Sequence, residues 1–491
     1  MTLRELLAGV PILSVQGDDR LDIAGLAYSS KAVGPGFLFA ALRGGINDGL
    51  SFIDEARQAG AAAILADRPK PPGFKAAWVE AFDAREALAL CAANFYRHPS
   101  QDMKVIGITG TKGKTTTTYL LEEILKAAGQ RPGVIGTISY RGPGFNLPAE
   151  RTTPEAPEMQ KLLRRMLDGS ATHCLIEVSS HSLNLKRVWG IRFDAAVFTN
   201  LSGEHMDFHP SMDEYFQAKK KLFFLNSKKR TAVVNIDDPW GQKLITELPM
   251  ATISYGLAPE AIVRAAAFSF DYAGISLAVE YPGGKAALAS PLMGRHNVYN
   301  ILAATATSLA LNIPWPAIEQ GVKSLKGVPG RMEKVDNNLG VRAFVDYAHT
   351  DNALRHLLET GRSLSPGRII LVFGAGGDRD KTKRQRMGEV AAALADEVIL
   401  TSDNPRTENP SAIITDIEAG LKKAGFSRYA VIPDRQEAIA RAVELARPQD
   451  MLLIAGKGHE NTQEIQGRKT RFSDTEVLAE ALAAKGARSN G

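Results

Sequence analysis

Residues 107–116 read Gly-Ile-Thr-Gly-Thr-Lys-Gly-Lys-Thr-Thr, a combination suited to holding phosphate. Glycines let backbone N–H groups approach phosphate oxygens, and a helix N-terminus adds partial positive charge. Gly110, Thr111, Lys112, Gly113, Lys114, Thr115 and Thr116 are therefore the candidate ATP loop. Lys114 can reach the β- and γ-phosphates, and the Thr115 hydroxyl can ligate Mg²⁺. The general Gly-x-x-x-x-Gly-Lys-Thr pattern is not met, because it needs glycine at 108 and Ile108 stands there. Glu177 closes the apolar run Cys174-Leu175-Ile176, where a strand-end carboxylate can face a ligand crevice and hold Mg²⁺. Lys219, Lys220 and Lys221 are consecutive, and composition alone does not separate a solvated helix face from a role for one of them. Asp403-Asn404-Pro405-Arg406 reads as a polar turn of the Asx–Pro type, and such loops are also where binding groups sit. Gly374–Asp380 (GAGGDRD) is a glycine-rich turn without the G-x-G-x-x-G dinucleotide fingerprint.

These groups need elements to aim them. Up to about Ser100 the chain carries short apolar runs (FLFAAL, AAAILA) and a helical segment, REALALCAANFYRH, followed by HPSQDMK, which reads as a linker. From Val105 the pattern becomes strand, glycine turn and helix, with further strand candidates HCLIEVSS, AAVFTNLS and TAVVNID. Strands alternating with helices imply a parallel α/β sheet. KGVPGRME breaks this pattern near Gly330, and AFVDYA, RIILVFGAGG, EVILTSDN, YAVIPD and MLLIAGKG then describe a second, smaller doubly wound sheet. With 491 residues and roughly 150 per domain, about three domains are expected. The boundaries fall at 1–102, 103–329 and 330–491: a small N-terminal α/β domain, a central P-loop-type parallel-sheet ATP-binding domain and a C-terminal Rossmann-like domain. The net charge of +5 is mild and says little about partners. Cys91 and Cys174 have neither metal-ligand nor disulfide-framework spacing, which fits a reducing, cytoplasmic setting. The N-terminus lacks a secretory pattern, and no apolar run is long enough to span a bilayer.

Taken together, the motifs resemble the Mur ligase family over the whole chain. The short Gly-Thr-x-Gly-Lys-Thr loop is the form carried by Mur ligases and folylpolyglutamate synthases. EVSSHSL (177–183), TNLSGEHMDFH (199–209), EYFQAKKKLF (214–223), MGRHNVYN (293–300), GRME (330–333) and DYAHT (346–350) follow in the family's order. GGDRDKTKR, DNPRTENP and AGKGHE complete a set similar to that of the family's diaminopimelate-adding members. The resemblance implies an ATP- and Mg²⁺-dependent ligase of peptidoglycan precursor synthesis, and through it of cell wall biogenesis, cell shape and division. The reaction implied joins meso-2,6-diaminopimelate to the D-glutamate of UDP-N-acetylmuramoyl-L-alanyl-D-glutamate through an acyl phosphate. It also implies a monomer with small-molecule partners, no nucleic acid and no membrane insertion.

Residue by residue, the resemblance makes Lys114, Glu177, His205 and Lys219 the catalytic set. Thr115, Glu177, His205 and Lys219 serve Mg²⁺, with Lys219 carbamylated to N6-carboxylysine. Asn297, Arg331 and Asp346 join the nucleotide site, with His349 in the same motif. Ser30, Asn47, Thr152, Thr153, Ser179 and Arg187 hold the UDP-muramoyl-peptide. Arg379, Asp403, Asn404, Pro405, Arg406, Gly456 and Glu460 form the diaminopimelate pocket. In that pocket Arg406 can fork onto the distal carboxylate that lysine lacks, Arg379 takes the other carboxylate end, and Glu460 takes an ammonium. Three positions depart from the family. Ser29-Ser30-Lys31 stands where it often has Asp-Ser-Arg, Leu185 where it has glutamine, and Asp351 where it has proline. Alternatives are a lysine-adding ligase, against which Arg406 counts, and a folylpolyglutamate synthase, which gives no reason for the first domain or for Asp403–Arg406. A catalytically inactive nucleotide-binding relative is a third, against which the retained Lys114, Thr115, Glu177, His205 and Lys219 count.

Overall fold

A computed structural model describes residues 1–44, 48–203, 208–225, 230–365 and 367–489. Two compact units result: one of 1–266, 278–286 and 299–322, the other of 267–277, 287–298 and 323–491.

The first unit contains two sheets. The N-terminal one has five strands in the order Ile12–Gln16, Ala77–Ala81, Ala63–Ala66, Phe37–Ala40, Gly25–Ala27. Only Ile12–Gln16 runs antiparallel to its neighbour. The run Ala63–Ala66 is buried along its whole length, as expected of a parallel strand covered on both faces. One face packs Leu38, Leu65 and Val79 against Leu88 and Cys91 of the helix Ala84–Phe95, and the other packs Phe39, Ile64 and Trp78. Buried Trp78 places its Nε1–H on the Arg68 carbonyl at 2.9 Å. HPSQDMK, read as a linker, contains a short 3₁₀ turn, Pro99–Gln101, entered through His98 in left-handed backbone at φ 47°.

In the second sheet of this unit the strand Lys104–Thr109 lies between His173–Glu177 and Ala195–Phe198, parallel to both. Pro132–Ile135 flanks His173–Glu177, and Thr231–Asn235 flanks Ala195–Phe198, again in parallel. Chain order reverses around Lys104–Thr109, and such a switch point opens a crevice at the carboxyl ends of the strands. Three loops start from that edge: Gly110–Gly113, Val178–Ser179 and Thr199–Ser202. Gly107, in the middle of the central strand, has room for no side chain, since a Cβ there would come within 2.9 Å of the Phe193 ring.

The second unit has a six-stranded sheet in the order Glu333–Val335, Arg342–Asp346, Met451–Ala455, Ile369–Phe373, Glu397–Leu400, Tyr429–Val431. All pairs are parallel except the first. The helices Asp351–Leu364, Thr382–Leu394 and Pro410–Lys423 cover one face, while Arg435–Leu445 and Asp474–Ser489 cover the other. This is the doubly wound arrangement expected from alternating strands and helices. No described helix is long and apolar enough to cross a membrane.

An ion pair fixes the second face. Arg435 and Asp474 are fully buried and make two bonds of 2.7 Å, and the same guanidinium donates to the carbonyls of Ser402 and Ala455. It thereby ties the ends of two strands to two helices. Removing one partner of such a pair leaves an uncompensated buried charge, which costs about 3–5 kcal/mol. Asp474→Ala is expected to lose about that much stability, measured as a lower midpoint in urea unfolding followed by fluorescence.

Candidate functional site

The phosphate-loop candidates come together at the end of Lys104–Thr109. Gly110 has φ 143° and Gly113 φ 87°, backbone that favours glycine. Space excludes side chains as well: a Cβ on Gly110 would lie 1.8 Å from Thr199 Oγ1, and one on Gly113 would lie 2.4 Å from Asn300 Oδ1. The helix Lys114–Ala127 starts directly after this turn. Asn200 holds the loop by both ends of its amide. Its Oδ1 accepts from Lys112 N at 2.9 Å, and its Nδ2 donates to Lys112 O at 3.2 Å. Thr199 Oγ1 donates to the same carbonyl at 2.6 Å. Thr111 Oγ1 accepts from Ser202 N at 3.0 Å. The loop is thus braced by residues at the end of the adjacent strand.

Lys114 curls over the turn, with Nζ donating to the carbonyls of Gly110 (2.9 Å) and Thr111 (3.0 Å). Lys219 reaches the Gly110 carbonyl from the other side at 2.8 Å. It comes from the helix Met212–Lys220, is 1% exposed, and lies 4.5 Å from the Tyr215 ring centroid. Of the three consecutive lysines, the fold buries Lys219 and places Lys220 and Lys221 nearer solvent. Lys220 pairs with Glu247 and Lys221 with Asn184.

Glu177 is 1% exposed and is the second centre of the site. Its Oε2 accepts from Thr115 Oγ1 at 2.9 Å and from Thr137 Oγ1 at 2.8 Å, and its Oε1 accepts from Thr137 N at 3.2 Å. Thr137 in turn meets Thr152 at 3.1 Å. Thr153 Oγ1 donates to Glu177 O at 2.8 Å and accepts from Ser179 N at 3.2 Å. Arg187 donates to Thr153 O at 3.0 Å and pairs with Glu155 at 2.8 Å, while its Nε is buried without a hydrogen-bond partner. Thr152, Thr153, Ser179 and Arg187 are therefore one connected group against Glu177. Ser30 opens the 3₁₀ turn Ser30–Ala32 between the strands Gly25–Ala27 and Phe37–Ala40, two residues after Tyr28. Burial and the neighbouring Glu158 and Glu155 push the Tyr28 phenol up to about 12. Leu185 caps the short helix Ser180–Asn184 through its backbone, a job that needs no side-chain amide. Asn47 and His205 lie outside the described residues.

In the second unit the strand ends carry another cluster. Asp346 accepts from Met332 N at 2.7 Å and from Ala348 N at 2.8 Å, which locks the turn holding Arg331. Arg331 lies 5.2 Å from the centroid of the Tyr347 ring, against which His459 also packs at 5.1 Å. Burial and Arg331 push His459 down to about 4, so it is neutral at pH 7. Burial likewise lowers His349, whose Nδ1 meets Tyr347 O at 2.8 Å. Asn297 is buried and donates to Met293 O at 2.8 Å. Asp351 occupies the first turn of Asp351–Leu364, where a negative charge suits the helix dipole, and pairs with Arg386 at 2.9 Å.

Arg379, Asp403, Asn404, Pro405, Arg406, Gly456 and Glu460 fall on adjoining strand-end loops. Arg406 sits in left-handed backbone at φ 53° and donates through Nη1 to Gly377 O. Gly377 N donates to Asn404 O at 2.9 Å, and a Cβ on Gly377 would meet Pro405 O at 1.9 Å. Gly456, at φ 118°, would bring a Cβ within 2.3 Å of Asp403 Oδ2. Asn404 Nδ2 donates to Glu460 Oε2 at 2.7 Å. Arg379 is exposed on the same loop. A clamp fastens these loops from behind. Arg384, 1% exposed, pairs with Glu408 at 2.8 Å, Glu408 accepts from Asp378 N at 2.6 Å, and Asp378 accepts from Thr407 Oγ1 at 2.7 Å. The bond to Arg384 holds the Glu408 carboxyl down at about 2.

Sequence reasoning missed Thr137, Asn200 and Tyr215 in the first unit, and Arg384, Glu408 and Lys457 in the second. Thr137 and Asn200 each stand two residues past the end of an apolar strand, close to the strand-end position that singled out Glu177. Lys457 lies between two glycines inside AGKGHE and carried no signal of its burial.

Comparison with known proteins agrees along the whole length. The family model described as Mur ligase middle domain matches residues 108–308, the Mur ligase, glutamate ligase domain matches 330–458, and the Mur ligase family, catalytic domain matches 22–96. A protein of Geobacter metallireducens named UDP-N-acetylmuramoyl-L-alanyl-D-glutamate–2,6-diaminopimelate ligase is 43% identical, with 99% of this chain and 100% of that protein covered. A protein of the same name from Alkaliphilus metalliredigens is 41% identical over 99% and 98%. A solved structure bearing that ligase name has a TM-score of 0.71 at 32% identity, with 99% of each chain covered.

The close approach at Gly110 yields a direct test. Gly110→Ala must move Thr199 or the loop, and a strained site of this kind costs about 1–3 kcal/mol. An ATP analogue is expected to bind on the order of 10-fold more weakly or worse to this variant in isothermal titration calorimetry, with the fold retained by circular dichroism. Unchanged affinity would separate this loop from nucleotide binding.

Proposed function

Because the chain belongs to the Mur ligase family, we propose that it is the ATP-dependent ligase that adds meso-2,6-diaminopimelate to the D-glutamate of UDP-N-acetylmuramoyl-L-alanyl-D-glutamate. The observation that carries this reading is end-to-end similarity, at 41–43% identity, to ligases of that name. It is supported by the grouping of Asp403, Asn404, Arg406 and Glu460 on adjoining loops. The work belongs to peptidoglycan precursor synthesis, and hence to wall growth, cell shape and division, in the cytoplasm. We assign 1–102 to the UDP-sugar, 103–329 to ATP and 330–491 to the amino acid, in a monomer. A folylpolyglutamate synthase would leave the first region and Arg406 without a task, and a lysine-adding ligase would leave Arg406 without a partner.

The reaction needs the substrate carboxylate activated, because a carboxylate resists attack by an amine. A carboxylate oxygen attacks the γ-phosphorus of ATP and ADP leaves. The amine nitrogen then attacks the acyl carbon, and phosphate leaves as the amide forms and a proton is lost. Positioning and electrostatic stabilisation dominate such transfers. Lys114 supplies positive charge at the transferring phosphate, and the N–H groups at the helix start, 113–116, supply the cradle. Thr152, Thr153, Ser179 and Arg187 hold the muramoyl-peptide, with Ser30 and Asn47 at its UDP end. Arg331, Asp346 and Asn297 serve the nucleotide. Arg379 and Arg406 take the carboxylates of diaminopimelate, and Asp403 and Glu460 take its ammonium groups, with Asn404 bonded to Glu460 and Pro405 and Gly456 shaping the pocket.

Mg²⁺ suits the donor set around Glu177. The hydroxyls of Thr115 and Thr137 meet one carboxylate oxygen, and these are the hard oxygen donors Mg²⁺ prefers. Mg²⁺ takes only one or two protein carboxylates when phosphates and water complete its shell. The absence of a His/Cys/Asp/Glu cluster among the described residues is therefore no obstacle. Thr115, Glu177, His205 and carbamylated Lys219 would hold it, and when bound it neutralises phosphate charge. A carbamate forms when the neutral Lys219 amine attacks CO₂ and loses a proton. In this site it would replace one of two ammonium groups that share the Gly110 carbonyl.

Two outcomes test this reading. Leaving a buried hydrogen-bonded charge unpaired costs roughly 2–5 kcal/mol. Wild-type enzyme is therefore expected to favour diaminopimelate over lysine by roughly 30- to 4,000-fold in kcat/KM, at about 1.4 kcal/mol per decade. Arg406→Ala should lose most activity with diaminopimelate, and Arg406→Lys should recover it only in part. Phosphate release with each amino acid reads this out, and equal use of lysine would overturn the specificity. Lys219→Ala and Lys219→Arg should both be nearly inactive, with short carboxylic acids partly restoring the alanine variant. A fully active arginine variant would show that positive charge, not a carbamate, is what the site requires.

A further inference from the structure

Behind the amino-acid loops of the second unit lies a lysine with no solvent exposure. The Lys457 side chain is 0% exposed, and its three protons have three acceptors: Asn404 Oδ1 at 3.1 Å, Glu460 Oε2 at 3.2 Å and Thr462 O at 2.7 Å. Asn404 is thereby oriented. Its Oδ1 accepts from Lys457 and from Glu464 N at 3.0 Å, so its Nδ2 must point the other way, where it donates to Glu460 Oε2 at 2.7 Å. Glu460 therefore spends Oε2 on two donors from inside the protein, while its side chain remains 32% exposed. Oε1 takes part in neither bond.

We propose that Lys457 is a positioning residue for amino-acid selection, acting through Glu460 and Asn404 to present one carboxylate oxygen to the substrate's ammonium. This rests on the pocket assignment above. Three properties suit the ammonium for the task. It carries donors only, so it cannot accept from Asn404 and cannot permit the amide to flip. Its positive charge meets the Glu460 carboxylate at 3.2 Å. Its burial keeps water from replacing it, and a buried charge-assisted bond is stronger than a neutral one. The two buried arginines make their ion pairs elsewhere, Arg435 with Asp474 and Arg384 with Glu408 and Asp416, and not with Glu460. Glycines on both sides make room. Gly456 leaves space for the Asp403 carboxylate, and Gly458, at φ 55°, lies against Tyr347 where a Cβ would come within 2.7 Å.

The test uses the full-length enzyme, with phosphate release measured while diaminopimelate, ATP and the UDP-muramoyl-dipeptide are varied in turn. Lys457→Met is expected to raise KM for diaminopimelate on the order of 10–100-fold, with kcat and the KM values of the other two substrates within about twofold of wild type. Because Lys457 acts through Glu460, adding Lys457→Met to Glu460→Gln should cost less than about threefold further, a non-additivity that distant structural damage would not produce. If Lys457→Met melts far below wild type, the same measurements are made on Lys457→Gln, which keeps a polar head but no charge and should raise the same KM. An unchanged diaminopimelate KM, a common rise in all three KM values, or fully multiplicative effects in the double variant would overturn the proposal. Wild-type enzyme that fails to use diaminopimelate would instead overturn the pocket assignment itself.

Discussion

Two lysine ammonium groups donate to one backbone carbonyl, that of Gly110, and the first unit is built around making that meeting occur. Lys114 arrives from the start of its own helix and Lys219 from a helix about a hundred residues later. For both to reach the same oxygen, Lys104–Thr109 must lie in the middle of a parallel sheet with its carboxyl end open. The residue after that strand must also lack a side chain, since Thr199 fills the space a Cβ would take. The same edge gives Glu177 its place one strand away, at the register Glu177↔Ile108. The lysine ammonium groups at Gly110 and the Glu177 carboxylate thus stand at the ends of neighbouring strands.

Much of this was legible in the sequence because glycine, strand and helix signals act locally. The loop at 107–116 shows its strand before it and its helix after it, and Glu177 follows an apolar run long enough to be a strand. The doubly wound sheet of the second unit follows from the same alternation. What could not be read was which side of an element faces inward. Lys219 differs from Lys220 and Lys221 only by a turn of about a hundred degrees per residue, and the tertiary packing of Met212–Lys220 chooses among them. Burial of Arg384 and Lys457 is equally invisible, because their partners Glu408, Asp416, Glu460 and Thr462 are brought close by the fold or sit in a tight turn. In sequence, the departure from family pattern at Leu185 reads as a lost side-chain donor and that at Asp351 as a local difference in the loop. In the structure Leu185 contributes backbone, and Asp351 gains Arg386 as an ion-pair partner.

The second unit applies a different rule. Its candidate binding groups stand on loops, and loops are held here by buried ions rather than by apolar packing. Arg384 fastens Glu408, and through it Asp378 and Thr407, while Arg435 fastens the strand ends at Ser402 and Ala455. Arginine serves where a fork must hold several acceptors in a plane, and lysine where one compact charge must meet three directions.

Arg406 is joined to the hairpin Thr462–Ile465/Arg468–Arg471 by its backbone on both sides. Its N–H goes to Glu464 O at 3.0 Å, and its carbonyl receives Gln466 N at 2.6 Å. The residue proposed to read the amino acid's far end is therefore hydrogen-bonded to a ribbon whose Arg468–Arg471 strand is exposed throughout. For protein engineering this means that a new side-chain preference is a block transplant rather than a point change. The loop 403–408 and the ribbon 462–471 have to be exchanged together, or the grafted residue will arrive with the wrong backbone beneath it.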